Sequence, residues 1–87
     1  MTTLNFNVPL KLIDGKDSDK SLASVLSELI GNQTEGKTLK LYGWHKTLQV
    51  GDELNLDDSD LSDLKNLIEK DQRYLIFVKG QLLEVLK

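Results

Sequence analysis

Six carboxylates crowd the middle of the chain: Asp52, Glu53, Asp57, Asp58, Asp60 and Asp63. Such a cluster is raw material for a calcium site, and spacing is the test. An EF-hand loop needs oxygen ligands at alternate positions, a glycine at the sixth and a glutamate at the twelfth. Counting from Asp58 places Asp60 and Ser62 correctly, but Asp63 stands where the turn-forming glycine belongs. Asp14, Asp17 and Asp19 fail the same count. Helix capping and solubility account for these side chains, and no metal is expected. His45 is the only histidine and cysteine is absent, so zinc would require several carboxylates to converge on one imidazole. A Ser–His–acid triad requires a serine to reach that imidazole. Ser18, Ser21, Ser24, Ser27, Ser59 and Ser62 all fall at helix caps or on polar helix faces. No GxSxG elbow, phosphate-binding glycine loop or dinucleotide fingerprint occurs. The chain therefore reads as a non-enzyme with no cofactor, and His45 as a partly buried partner of a neighbouring polar group.

One further combination has chemical content. Tyr42 and Trp44 lie beside Lys37, Lys40 and Lys46, the mixture of rings and cations that single-stranded nucleic acid favours. Against it, Trp44 is the natural anchor of a leucine-rich core with few aromatics, and a net charge of −3 gives no long-range pull on phosphates. No helix-turn-helix pair with a basic second helix is present. Nucleic acid is disfavoured as a partner.

The elements that position these residues are unequally clear. Leu56–Lys70 predicts a helix with its own start signal. Asp57 is placed to cap it, Asp58 and Asp60 complement the positive end of the helix dipole, and Leu61, Leu64, Leu67 and Ile68 form one apolar stripe. Leu56 and Leu61 have the spacing of a hydrophobic staple. Asp19–Ile30 predicts a second helix through Leu22, Val25, Leu26, Leu29 and Ile30, with Ser18 or Asp19 as cap and Gly31 as its left-handed end. Leu4, Phe6 and Val8 alternate with Asn5 and Asn7, the period of a half-buried strand. Leu10–Ile13 follows Pro9 as a second extended piece, then the Asp14-Gly15 turn and a polar loop over Lys16–Asp19. Glu53–Leu56 reads as a short extended lead into the central helix.

Two segments carry both periods. Thr38–Val50 places Leu41, Trp44, His45 and Leu48 on one helical face, yet alternates equally well as strand, and Gly43 weakens either reading. Tyr74–Leu86 reads as a hairpin about Lys79-Gly80 or as a helix, and the helix is preferred because lysine is a poor first residue for a tight turn. On that helix Leu75, Val78, Leu82 and Leu86 face the core. Ile76 and Leu83 lie beyond the core stripe and are the candidate partner-binding residues.

Residues 1–87 make one small domain of ordinary globular composition, 39% hydrophobic and 29% charged. No apolar run approaches bilayer length, and the N-terminus has neither a basic n-region nor an apolar h-region. The expected location is the cytoplasm.

Three blocks carry a resemblance. Pro9–Gly15, PLKLIDG, is similar to an opening "PL…DLDG" turn. Leu39–Asp60 is similar to an "LK-aromatic-x-W…L…GE-L-LD-x-x-D" block, and Val78–Leu86 to a closing "(V/A)K-(A/G)-Q-L-L-E-x-L" helix. The pattern resembles small proteins of phage and prophage genomes found among head–tail or tail genes. It implies helix for Thr38–Gln49 and Arg73–Leu86, although Gly43 and His45 depart from the more helix-friendly residues of the pattern. The expectation is an α+β fold, an N-terminal β-hairpin packed on a small bundle of three to four helices. The expected function is a non-enzymatic interaction protein working by protein–protein contact or self-association in particle assembly. The alternative is a small DNA-binding regulator of phage origin.

Overall fold

A computed structural model of the chain describes residues 2–34 and 36–86. In order these form β1 (Thr2–Leu4), β2 (Pro9–Lys11), β3 (Asp17–Ser21), α1 (Leu22–Gly31), α2 (Thr38–Gln49), β4 (Leu54–Leu56), α3 (Asp58–Lys70) and α4 (Ile76–Val85). The class is α+β: two small antiparallel sheets and a set of packed helices. β2 and β3 make the N-terminal hairpin about Asp14-Gly15, where Gly15 takes φ +86°. β1 instead pairs with β4, with Thr2 opposite Leu56 and Leu4 opposite Leu54. The alternation seen at the N-terminus thus serves a strand whose partner lies some fifty residues on. That strand ends at Leu4; Phe6, beyond it, is buried, but Val8, expected on the same side, is 41% exposed.

The hairpin corrects two boundaries. Lys16–Asp19 is not merely a loop, because Asp17–Ser21 is the second strand. The Leu12 N–H donates to the Lys16 carbonyl, that of Leu22 to Val8, and that of Ala23 to Phe6. A Lys11–Asp17 ion pair crosses the strands. With those residues extended, the helix begins later than the sequence suggests. Ser21, and neither Ser18 nor Asp19, is the cap, its hydroxyl accepting from the Ser24 N–H at 3.1 Å. Gly31 is the last helical residue, not a left-handed terminator; Asn32 follows with φ −94°. What requires glycine at 31 is space, since a Cβ there would lie 2.9 Å from the His45 ring.

The outer edge of β2 is closed by a side chain. The Gln81 carboxamide accepts from the Lys11 N–H at 2.8 Å and donates to the Lys11 carbonyl at 2.9 Å, as a neighbouring strand would. Pro9 offers no donor on that edge. An edge without free donors is protected against strand addition.

Both two-period segments are helices, α2 and α4, so the hairpin readings are set aside. α3 follows its sequence: Asp57 accepts from the Asp60 N–H at 2.8 Å, and Leu64 and Ile68 are fully buried. They meet Phe6, Leu26, Leu48, Leu56 and Leu82 in one core. Val78 and Leu82 of α4, and Leu86 just after it, join that core as expected. Leu75 does not: it precedes the helix as its N-cap residue and is 65% exposed. Among the described residues no helix is long and apolar enough to cross a membrane.

Candidate interaction surfaces

The pairing of greatest chemical interest is one the sequence placed apart. Ser27, read as a polar-face residue, is buried where α1 meets α2, and its Oγ lies 3.0 Å from His45 Nδ1. The geometry excludes a serine nucleophile activated by this nitrogen. Nδ1 also sits 2.7 Å from the Ser27 carbonyl oxygen, which can only accept, so Nδ1 carries a proton. A protonated nitrogen cannot take the Ser27 hydroxyl proton, and that hydroxyl donates to the His45 carbonyl at 3.2 Å instead. The arrangement is a reciprocal clasp joining two helices. Beside it a cleft of about 500 Å³ is bordered by Glu28, Gln33, Tyr42 and His45. Two of its polar side chains are engaged within the chain. Glu28 holds Lys20 and the Tyr74 hydroxyl, and Gln33 donates to the Leu29 carbonyl. Burial, reinforced by the Glu28 charge, pushes the Tyr74 hydroxyl above its ordinary pKa.

The acidic cluster is dispersed among structural tasks. Asp57 caps α3, Asp58 and Asp60 lie in its first turn, and Asp60 and Asp63 both bind Lys40 of α2. Lys40 donates to the Asp60 and Asp63 carboxylates; these hydrogen bonds raise the Lys40 pKa, and the one to Asp63 lowers the Asp63 pKa. Lys40 also lies 5.2 Å from the centre of the Trp44 ring. These bridges span a cleft of about 300 Å³ between α2 and α3, with Leu41, Trp44 and Leu67 as apolar walls. Trp44 is only 9% exposed, whereas Tyr42 is 55% exposed and borders the other cleft. The two rings therefore do not form one stacking platform.

The approach to α4 is fixed by a second polar cluster. Asp71 is buried, and Arg73 donates to it at 2.9 Å while reaching the Leu29 and Asn32 carbonyls at the end of α1. Burial opposes ionisation of Asp71. The hydrogen bonds and charge of Arg73 outweigh it and hold the carboxyl below the usual carboxylate range. Lys79 donates to the carbonyls of Glu69 and Asp71, so the turn between α3 and α4 is held from both sides.

The helix that follows this turn carries the partner-binding candidates Ile76 and Leu83. Ile76 is 87% exposed, whereas Leu83 is half-buried against the core. Gly80, exposed and with nothing within 4 Å of where a Cβ would sit, lies between them. At 100° per residue Ile76, Gly80 and Leu83 fall within about 60° of one another on the helix. Leu75 extends the apolar surface at its start. Sequence reasoning missed Leu75 by counting it into the core stripe; the available signal was that a residue at a helix boundary need not follow the helical period. Compared with models of protein families, with curated proteins and with solved structures, the chain finds no match in any of the three.

Proposed function

We propose that this protein works by protein–protein contact, without chemistry of its own, through the outer face of α4. The observation that carries this reading is the exposed Leu75–Ile76 pair at a helix start that no side chain caps. Serine, threonine or aspartate at that position would stabilise the helix, and a leucine there costs stability within the chain. Gly80 adds a second local cost of about 1 kcal/mol relative to alanine, with no steric demand inside the chain. Local choices that disagree with the fold concentrate at functional sites. An exposed glycine beside two apolar side chains also lets a partner backbone approach closely. The resemblance to phage and prophage proteins supports particle assembly in a bacterial cytoplasm as the setting. The DNA-binding alternative has less support, because Trp44 is nearly buried and Lys40 is engaged by two carboxylates.

The test is the double variant Leu75→Asp with Ile76→Asp. Circular dichroism is expected to show an intact fold. Sedimentation velocity and capture from host-cell extract are expected to show loss of the self-association or the partner that the native chain retains. A native chain that is monomeric and captures nothing, or a double variant that behaves identically to it, would overturn the reading.

A further inference from the structure

We infer that the cleft between α2 and α3 binds an acidic peptide segment, taking one apolar side chain between Leu41, Trp44 and Leu67 and the flanking carboxylates at Lys37 and Lys70. This site lies apart from the α4 face and does not depend on it. Size is the first argument. About 300 Å³ is at the small end of ligand pockets and admits one large side chain with its adjoining backbone. The kind of apolar surface is the second. Trp44, at 9% exposure and with the Lys40 ammonium over its ring, does not offer the open face on which a nucleobase stacks. An aliphatic or phenyl group fits such a wall.

Charge is the third argument, and it selects the partner. The net charge of the chain is −3, yet among the described residues three lysines border this cleft against one carboxylate, Asp63. Lys40 is consumed internally by Asp60 and Asp63 and lies over the Trp44 ring. Lys37 touches Asp63 only at 3.7 Å and keeps its side chain 73% exposed, and Lys70 is exposed on the last turn of α3. Two solvent-facing ammonium groups at the mouth of an apolar slot complement carboxylates that flank a buried side chain.

Trp44 is the sole tryptophan, so its emission reports this cleft directly. The full chain is titrated with an acetylated, amidated pentapeptide of one phenylalanine between two pairs of aspartates. A saturable emission change in the sub-millimolar range is expected, weakening with added salt. The same peptide with asparagine at each acidic position is expected to bind at least about tenfold more weakly, the scale of losing charge-assisted contacts. Lys37→Gln with Lys70→Gln should weaken the aspartate peptide similarly, while Leu75→Asp with Ile76→Asp should leave it unchanged. The inference is overturned if the emission change does not saturate, or if the asparagine peptide binds equally well. It is also overturned if the lysine variant, folded by circular dichroism, binds as the native chain does, or if a thymidine oligonucleotide saturates the site and the peptide does not. Should the lysine variant fail to fold, the comparison of the two peptides on the native chain decides.

Discussion

In α1 and α3 a side chain closes the N-terminus, Ser21 onto the Ser24 N–H and Asp57 onto the Asp60 N–H. At the starts of α2 and α4 stand Lys37 and Leu75, whose side chains accept nothing. The difference continues along the helices. α1 and α3 each gather their apolar residues on a buried side, whereas α2 exposes Leu39 and Tyr42, and α4 exposes Ile76. α2 and α4 also carry interior glycines, Gly43 and Gly80, with open space around them, and Gly31 of α1 is tightly approached by His45. Two helices are therefore specified by their own residues. The other two are held by contacts from elsewhere: α2 by the Ser27–His45 clasp and the Lys40 ion pairs, α4 by the Asp71–Arg73 cluster and the Gln81 clamp on β2. Unlike α1 and α3, these two helices leave large hydrophobic side chains exposed, Leu39 and Tyr42 on α2 and Ile76 on α4.

The largest effect should come from breaking a contact that replaces a cap. Arg73→Ala removes the partner of buried Asp71 and the bonds to Leu29 and Asn32, at a cost of about 2 kcal/mol near neutral pH. The pH dependence has a definite sign. The folded-state pKa of Asp71 is lowered, so its contribution is present above the unfolded value of about 3.9 and is lost as pH falls through the folded value. The gap between native and variant, measured by urea denaturation, should thus be widest above about pH 5 and narrow below pH 4. A gap constant across that range would remove Arg73 as the cause of the Asp71 shift.

What the sequence makes legible divides along the same line. The cap at Asp57, the stripe of α3, the Asp14-Gly15 turn and the short strand before Asp57 are local signals, and each is found in place. Thr38–Val50 stays ambiguous by period because its helix is decided by His45 meeting Ser27 and by Lys40 meeting Asp60, contacts between residues remote in the chain. The start of α1 shifts to Ser21 because β3 claims Asp17–Ser21, a pairing that no periodicity in those polar residues announces. Of the candidate site, Ile76 is legible as an apolar residue off the core stripe. Leu75 is not, because it lies outside the helix whose period was used to place it. The α2–α3 cleft is hidden for a further reason. Its walls come from two helices, and its charge depends on which lysines are already neutralised.

A capped helix offers the next test. Asp57→Ala removes the acceptor of the Asp60 N–H and should cost about 1 kcal/mol, read as a lower urea midpoint with an unchanged slope. Lys37→Ala, at the corresponding position of α2, should cost much less through capping, since Lys37 makes no cap hydrogen bond. Equal losses would mean that the capped and uncapped starts do not differ energetically, and the comparison would fall.

The smallest effect has the opposite sign. Leu75→Asp puts a carboxylate at the N-cap of α4, where it can accept from a first-turn N–H; at present the Val78 and Lys79 N–H groups reach only the Leu75 backbone carbonyl. The negative charge also meets the positive end of the helix dipole. Leu75 is 65% exposed, so little apolar burial is lost in exchange. The net expectation is a gain of about 0.5–1 kcal/mol in the isolated chain. The gain should shrink in acid as the new carboxylate protonates, because its folded-state pKa would lie below the unfolded value. If the substitution destabilises the chain instead, Leu75 is packing against its own domain, and the apolar surface assigned to the start of α4 belongs to the core. A gain in stability together with weakened association would show one residue serving contact at the expense of its own helix.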